Sequence, residues 1–244
     1  MIEAGSLIRS LSGRTAARNY HTYVINEIGS AIVAGRFPVG SVLASDTVMM
    51  ETYGVSRTVL REALKTLEAK GLVEARPKVG TRVSPRSRWN YFDPQVLAWH
   101  FEAPPDPKFH ASLFEVRAAL EDLGVRHAAR LRTAEQVRLL KYWAHQTASA
   151  DENIEQFGLA CLEVHAIIAD ASHNELVRSV VGVVELTLAL ALTRNGEEGA
   201  RYRKARVAIL EELVDAVEKG DTEAAALALG RASAADQERI ASRS

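Results

Sequence analysis

The distribution of proline divides this chain and limits how it can fold. Five of the seven prolines lie between residues 85 and 108, and none follows Pro107. Because proline interrupts helices and marks loops, this stretch predicts a linker between two domains. Beyond residue 108 the apolar residues recur at three- and four-residue spacing without strand alternation, which predicts helices. These predicted helices cover residues 109–131, 133–149, 152–171, 174–193, 199–219 and 221–241, with Thr133, Asn174 and Asp221 as N-caps.

The predicted linker is rich in aromatic residues, which argues against a loose tether. It contains Trp89, Tyr91, Phe92, Trp99 and Phe101. Burial of such large apolar side chains is favourable, so we expect the segment to pack against a domain. A short helix is predicted from Pro94 to Phe101, because proline is favoured at the first position of a helix.

Charge is distributed unevenly between the two parts of the chain. Residues 1–90 contain 13 Lys and Arg against 7 Asp and Glu, a net charge of +6, whereas the remainder contains 17 against 24, a net charge of -7. A basic domain next to an acidic one predicts that the two have different partners, and nucleic acid is the partner that a basic domain favours.

Several protein classes are disfavoured by composition. The single cysteine, Cys161, excludes a disulfide scaffold and a four-cysteine zinc site. No apolar run reaches the ~18 residues that a membrane span needs, and no signal peptide is recognisable. The sequence therefore predicts a cytoplasmic protein without a membrane partner. Residues 1–19 lack clear periodicity and are expected to be a flexible leader.

Residues 20–84 have the order helix, helix, turn, helix, hairpin. Ser56 is an N-cap candidate for the third helix, and Gly71 ends it. The apolar positions of that helix face a core, which leaves Arg57 and Arg61 one above the other on the outer face. A third helix placed in this way can enter the DNA major groove, and the hairpin, or wing, can reach the neighbouring backbone or minor groove. Without this context, two such arginines would be interpreted as an ordinary solvated face.

The same residues resemble the winged helix–turn–helix of the GntR family of bacterial transcriptional regulators. The resemblance rests on Gly35–Leu43, Tyr53–Leu64, Gly71–Glu74 and Gly80-Thr81, in that order. It implies a DNA-contacting set made of Ser45, Thr47, Ser56, Arg57, Thr58, Arg61, Lys65, Lys78 and Gly80. Many members have an arginine where this chain has Thr47, so we expect its operator to differ from theirs.

Residues 109–241 resemble the FCD ligand-binding domain of the FadR-type subfamily. The resemblance rests on Phe114–Glu121, on Phe157–His165 with Ala171–Leu176, and on Val214–Ala225. It implies a bundle of six or seven helices that binds an effector and forms a homodimer. The segment Arg88–Trp99 is similar to regulators of sugar-acid catabolism, such as galactonate repressors. The expected fold is therefore mainly α, with a winged helix–turn–helix at 20–84, a linker at 85–108 and this bundle.

The resemblance also implies positions for a metal site. Most members of this subfamily bind a divalent metal through an aspartate and three histidines, and those positions correspond here to Cys161, His165, Leu210 and Ala232. Leucine and alanine cannot be ligands, and two ligands are too few for zinc. The sequence therefore predicts a pocket without metal or other cofactor. The alternative is a site rebuilt around Cys161 and His165, with His127 or His173 as a further ligand.

The predicted effector-binding residues are Arg117, Cys161, His165, Asn174, Leu210 and Ala232. Arg117 has two interpretations. It can be the ion-pair partner of Glu121, four residues later on the same helix, or it can hold an effector carboxylate with its planar guanidinium group. For His165 the alternatives are a hydrogen-bonded core histidine and an effector ligand, and Cys161 can be a small core residue. Arg201, Arg203, Lys204 and Arg206 are interpreted as a solvated face.

These observations predict a dimeric transcriptional regulator, and most simply a repressor that a small anionic metabolite, such as a sugar acid, releases from double-stranded operator DNA. The same fold acting as an activator or as a metal-dependent carboxylate sensor is an alternative. No catalytic triad, HExxH motif or phosphate loop supports an enzyme, so a helical enzyme that uses His165 is a remote alternative. A protein-binding adaptor is a further one, but the basic first domain argues against it.

Overall fold

The computed structural model describes residues 5–11, 20–150, 153–193 and 196–241. The chain forms two compact units. One lies within Thr15–Pro105, and the other combines Asp106–Ser244 with the N-terminal residues up to Arg14. No helix in the described ranges has the length and apolar character needed to cross a membrane.

The first unit has the predicted order of elements. It contains helices α2 (Tyr20–Val33), α3 (Asp46–Tyr53) and α4 (Arg57–Ala69), followed by strands β1 (Val73–Arg76) and β2 (Gly80–Val83). The strands pair antiparallel with Val73 opposite Val83. Ser45 and Ser56 cap α3 and α4 by accepting hydrogen bonds from the backbone N–H groups of Val48 and Val59. Gly54 ends α3 in the left-handed region, with φ 64°.

The predicted linker belongs largely to this first unit. A 3-10 turn at Arg86–Arg88 leads to helix α5 (Pro94–Glu102), whose N-terminus is capped by Asp93. Trp89 and Trp99 are buried in the core that α2 and α4 share. The boundary between the units falls after Pro105, so the expected linker at 85–108 is wrong over most of its length. Burial of its aromatic side chains gives the physical reason.

The second unit is a helical bundle, as predicted. Its helices after the boundary are α6 (Pro107–Leu131), α7 (Ala134–Ser149), α8 (Ile154–Ala171), α9 (Glu175–Arg178), α10 (Val180–Leu192), α11 (Glu197–Lys219) and α12 (Thr222–Ala241). Thr133, Asn174 and Asp221 act as the predicted caps. The predicted helix at 174–193 is interrupted at Ser179, so it forms α9 and α10. Almost every residue of α10 is buried, which makes it the central helix of the bundle.

The N-terminal segment departs from the expected flexible leader. Ser6–Ser10 form helix α1, which packs against α8 and α10 within the second unit. Leu7 and Ile8 are buried, and the Leu7 backbone N–H donates to the Glu185 carboxylate at 2.7 Å. A Cβ on Gly158 would lie 2.7 Å from Ile8, so this glycine permits the close approach. The rest of the expected leader, residues 1–4 and 12–19, lies outside the described residues.

Candidate functional site

The residues that the sequence predicts to contact DNA lie at the start of α3, in the turn of the wing and on the outer face of α4. The nine predicted residues are all exposed: Ser45, Thr47, Ser56, Arg57, Thr58, Arg61, Lys65, Lys78 and Gly80. The helix is strongly amphipathic, with Leu60, Ala63 and Leu67 buried on its inner side. The capping bonds made by Ser45 and Ser56 fix the starts of α3 and α4, so these two serines also have a structural role.

Two cations on the outer face of α4, Arg61 and Lys65, form only exposed ion pairs within the chain. Arg61 approaches the Asp46 carboxylate at 3.8 Å, and its side chain is 63% exposed. Lys65 pairs with Glu62 at 2.8 Å, also at the surface. Surface ion pairs contribute little free energy, so these cations remain available to phosphate or to a base edge.

The turn of the wing has a backbone that suits a close approach. Lys78 has φ 62° and Gly80 has φ 105°, both in the left-handed region. Arg82, which the sequence analysis did not single out, donates from Nε to the Gly40 carbonyl at 2.7 Å. This bond ties the wing to the loop before α3 and thereby fixes the wing relative to the helices of the first unit.

The interior of the second unit contains a cluster of charged side chains. The charged pairs are Arg117 and Glu121 on α6, and Arg206 on α11 with Asp236 on α12. His165 on α8, Thr187 on α10 and Tyr202 on α11 complete this set, which we call the polar cluster. Both arginines are 0% exposed, which is rare for charged residues unless they are paired.

Asp236 is the residue that joins the two arginines. Its Oδ2 accepts from Arg117 Nη1 at 2.6 Å, and its Oδ1 pairs with Arg206 Nη1 and accepts from Tyr202 Oη at 2.6 Å. Arg117 also donates from Nε to Glu121 at 2.7 Å and from Nη1 to Thr187 at 2.6 Å. Helices α6, α10, α11 and α12 therefore meet at one hydrogen-bonded network, which α8 joins through His165.

His165 bridges the two halves of the polar cluster. Its Nε2 lies 2.9 Å from Arg206 Nη2 and its Nδ1 lies 2.5 Å from Glu121 Oε1. Because a guanidinium can only donate, Nε2 must accept and Nδ1 must carry the proton that Glu121 accepts. Burial lowers the pKa of His165 from 6.5, so the imidazole is held neutral.

The two carboxyl groups are held ionised by the arginines. Burial by itself would raise the pKa of Glu121, but the nearby Arg117 overrides this effect and lowers it to about 2. Burial likewise opposes ionisation of Asp236, and Arg206 and Arg117 lower its pKa below the ordinary value. Two guanidinium cations thus face two carboxylate anions, and the polar cluster is balanced in charge.

Two donors of the polar cluster lack a hydrogen-bond partner among the described residues. They are Arg117 Nη2 and Arg206 Nε, both buried. A buried donor without a partner costs free energy, typically ~1–3 kcal/mol and more for a charged group. Such groups are uncommon in native interiors, and the arrangement is suited to an acceptor from outside the chain.

The other predicted effector residues lie in different settings. Cys161 is buried one turn before His165, and its thiol borders the polar cluster: burial raises the pKa of the thiol to about 12, and a hydrogen bond with Arg206 only partly opposes this rise. Leu210 is a buried core residue, and Ala232 contributes only its carbonyl, which accepts from Arg206 at 2.8 Å. Asn174 caps α9 through the Leu176 N–H and makes no described contact with the polar cluster.

The polar cluster does not suit a metal ion. Within the described ranges no three His, Cys, Asp or Glu side chains are grouped so as to hold one. Both ring nitrogens of His165 are already engaged, and the Arg206 guanidinium cation lies against its Nε2. A metal cation at this nitrogen would meet the positive charge of Arg206, so the residues present do not fit a metal centre.

Two charged residues of the polar cluster, Arg206 and Asp236 on the last two helices, were not among the predicted site residues. Arg206 is fully buried, so the prediction that the basic run lies on a solvated face is wrong at this residue. Arg206 lies one turn before Leu210, and Asp236 lies one turn after Ala232. A search one turn to either side of each implied ligand position, for residues of complementary charge, would have found the pair.

An amphipathic third helix followed by a wing, together with a separate helical bundle, is the arrangement of a class of regulators that bind DNA. Residues 22–83 match the family described as bacterial regulatory proteins, gntR family, and residues 112–233 match the FCD domain. The chain therefore belongs to the GntR family, with an FCD domain. It is a transcriptional regulator.

Relatives within the family include both repressors and activators. The Galactonate operon transcriptional repressor of Escherichia coli strain K12 is 29% identical over 157 residues, which cover 64% of this chain and 69% of that protein. The Glc operon transcriptional activator of the same strain is 30% identical over 159 residues, covering 63% and 61%. The solved structure of Lar from Listeria monocytogenes has a TM-score of 0.67 at 15% identity and covers 94% of this chain and 100% of that one, which shows a shared fold.

Proposed function

We propose that this protein is a homodimeric repressor whose affinity for operator DNA changes when a small anionic metabolite, such as a sugar acid, binds at the polar cluster. The observation that carries this proposal is the pair of buried donors without partners, Arg117 Nη2 and Arg206 Nε. A carboxylate has two oxygens, each of which can accept an N–H group from one of the two guanidinium cations, and such charge-assisted bonds are among the strongest that a protein makes. The similarity to a galactonate repressor supports a sugar acid.

Entry of an anion has a consequence for the polar cluster, because its charges are already balanced. A third carboxylate beside Arg117 and Arg206 would leave a net negative charge in the interior, which is costly. We therefore propose that Asp236 moves out of the polar cluster as the effector carboxylate enters, so that two anions still face two cations, and that the Asp236 contact with Arg117 is broken. This contact joins α6 to α12, so its loss gives effector binding a direct route to the packing of the bundle.

The effector proposal is tested by thermal denaturation with aldonates, beginning with galactonate, and with the matching alditols. We expect the aldonate to raise the melting temperature and the neutral alditol to have no effect, because only the former offers a carboxylate. Arg117→Lys retains the positive charge and removes Nη2, so it should weaken aldonate binding at least about tenfold. Arg126→Lys, on the outer side of α6, is the matched control.

An equal response to aldonate and alditol would contradict the anionic effector, and full binding by Arg117→Lys would exclude Arg117 as its partner. Protein purified without a histidine tag or chelator should contain no stoichiometric metal. Stoichiometric zinc, nickel or manganese by elemental analysis would contradict the metal-free site and favour the metal-dependent alternative.

For DNA binding, we propose that α4 enters the major groove and that Arg57 and Arg61 contact bases or adjacent phosphates. Two half-sites about one DNA turn apart give a dimer the affinity that a single module lacks. Replacing Arg61 by alanine should cost ~1–3 kcal/mol of operator binding if it reads a base. The test compares wild type, Arg57→Ala/Arg61→Ala and the surface control Arg138→Ala on DNA upstream of the gene, at fixed salt. Equal affinity of wild type and the double variant would contradict the proposal.

Whether the bound protein represses or activates is tested by transcription from the same upstream DNA. A cytoplasmic repressor should lower transcription from this promoter by purified RNA polymerase, and the effector should restore it. The similarity to the Glc operon activator supports the alternative that bound protein raises transcription. That result would replace repression by activation and leave the DNA-binding proposal intact.

A further inference from the structure

A carboxylate lies within the surface that we propose to contact DNA. Asp46 is the first residue of α3 and stands between Ser45 and Thr47, which both belong to the predicted DNA-contacting set. Its Oδ2 lies 3.8 Å from Nε of Arg61 on α4, and its side chain is 39% exposed. Because DNA carries a dense row of negative phosphates, an acidic side chain at this place opposes binding unless it has a further role.

Helix α3 contains no positive charge that would offset Asp46. Its eight residues include Asp46 and Glu51 but no lysine or arginine. In a helix–turn–helix the second helix lies in the major groove while the first crosses the DNA backbone, and α3 is the first of this pair. The negative start of α3 therefore disfavours a close approach to phosphate groups.

The contact with Asp46 leaves one edge of the Arg61 guanidinium open. The nitrogen nearest to the carboxylate is Nε, so the terminal edge formed by Nη1 and Nη2 is not used by this ion pair. A guanidinium edge with two donors can bind O6 and N7 of guanine together. The distance of 3.8 Å is longer than a hydrogen bond, so Asp46 attracts Arg61 without fixing it rigidly. Arg61 can therefore stay beside Asp46 while its terminal edge contacts a base.

We propose that Asp46 is a specificity-determining residue, which directs Arg61 toward base edges and disfavours DNA binding through phosphates alone. On unrelated DNA the basic side chains bind phosphates, because these are present in every sequence. Arg61 would then turn away from Asp46 and leave the carboxylate next to the DNA backbone without its cation. A complex in which Arg61 reads a base avoids this cost, and a penalty on the wrong partner increases specificity. The inference rests on the operator contact of Arg61 proposed above.

The test measures affinity at fixed salt for two duplexes of equal length and composition, the DNA upstream of the gene and a scrambled sequence. Asp46→Asn removes the charge and retains the shape of the side chain. Glu51→Gln is the matched control, because it removes the same charge from an exposed position of the same helix. We expect Asp46→Asn to bind scrambled DNA about three- to tenfold more tightly and to lower the ratio of upstream to scrambled affinity by at least about threefold. Glu51→Gln should change this ratio by less than about twofold.

The outcomes separate this inference from a structural role of Asp46. An acidic residue in the first turn also stabilises a helix through the helix dipole. Loss of that role alone would weaken binding to both duplexes together and leave their ratio unchanged, which would overturn the inference. In the Arg61→Ala background, Asp46→Asn should no longer change the ratio. A ratio that falls there by the same factor would show that Asp46 does not act through Arg61.

The same measurement distinguishes failure of the inference from failure of the proposed function. Wild type that binds both duplexes equally would overturn the operator proposal, and the role of Asp46 with it. Wild type that prefers the upstream DNA, together with an Asp46→Asn protein of the same preference, would overturn the role of Asp46 alone.

Discussion

Arg117 shows how a single residue can be structural and available for binding at once. It is paired with Glu121 and Asp236, yet its Nη2 has no described partner. Arg117→Ala would leave two carboxylates in the interior without their cation. We expect the free energy of unfolding to fall by about 3–5 kcal/mol, which is the usual cost of breaking a buried pair.

Urea denaturation followed by circular dichroism measures this loss. Arg138→Ala on α7 is the control, and it should change stability by no more than about 1 kcal/mol because its ion pair with Glu135 is at the surface. If Arg117→Ala were as stable as Arg138→Ala, the polar cluster would contribute nothing to the stability of the bundle.

His165 predicts a particular dependence of stability on pH. Its pKa is lowered in the folded protein by burial, whereas in the unfolded chain it keeps the ordinary value near 6.5. As the pH falls through 6.5, the unfolded chain therefore takes up a proton that the folded protein does not. Stability from this source is present above 6.5 and decreases below it, by at most about 1.4 kcal/mol per pH unit.

We expect His165→Gln to have a shallower loss of stability between pH 7 and pH 5.5 than wild type. His145→Gln, at an exposed position of α7, should keep the wild-type slope. The measurement is the free energy of unfolding in urea at several pH values. Identical slopes for wild type and His165→Gln would show that His165 is protonated in the folded protein as readily as in the unfolded one.

Part of the polar cluster could be predicted from local spacing. Arg117 and Glu121 are four residues apart on one helix, so their pairing follows from helix geometry alone. The contacts of Asp236 with Arg117 and Arg206 span 119 and 30 residues of sequence. Such pairs depend on how helices far apart in sequence are arranged, and no local pattern contains that information. The metal-ligand positions that the resemblance implies, Leu210 and Ala232, lie on the same helices as Arg206 and Asp236 but one turn away from them.

At the scale of elements, the crossing of α2 and α5 depends on one glycine. A Cβ at Gly29 would lie 2.4 Å from the ring of Trp99. Trp99 is buried and donates from its indole nitrogen to Asn26 at 3.2 Å. Gly29→Ala should therefore force the ring or the helix aside and destabilise the first unit by roughly 1–3 kcal/mol, despite alanine's higher helix propensity.

Thermal or urea unfolding followed by tryptophan fluorescence measures the effect. Ser30→Ala is the adjacent control and should stay within about 0.5 kcal/mol of wild type, because Ser30 makes only exposed contacts. A stability for Gly29→Ala equal to that of Ser30→Ala would mean that α5 adapts freely and does not depend on the close approach.

Elements with strong local signals were the ones that sequence could predict. The helices of both units and the caps at Ser56, Thr133 and Asn174 follow from periodicity and capping chemistry. The split between α9 and α10 was missed because the apolar pattern continues through Ser179. Helix α1 was missed because five residues are too few to show a period, and tertiary packing stabilises it.

At the scale of the whole molecule, the second unit depends on α1, which precedes the first unit in the sequence. Ile8 is fully buried and packs above Gly158, and Leu192 lies beside it. Ile8→Asp should release α1 and lower the free energy of unfolding of the second unit by about 2–4 kcal/mol. Ser10→Ala, on the exposed side of α1, should have little effect, and equal losses for both variants would contradict the docking of α1.

The position of α1 also determines how this protein can be recombined with others. Helix α1 belongs to the second unit, the first unit follows it in the sequence, and the chain returns to the second unit at Asp106. The first unit is thus an insertion within the sequence of the second. A chimera that exchanges DNA specificity must be joined at two junctions and must retain Leu7 and Ile8. A fragment that begins at Asp106 would lack α1. It would expose the apolar surface around Gly158, and Glu185 would lose the hydrogen bond from the Leu7 backbone N–H.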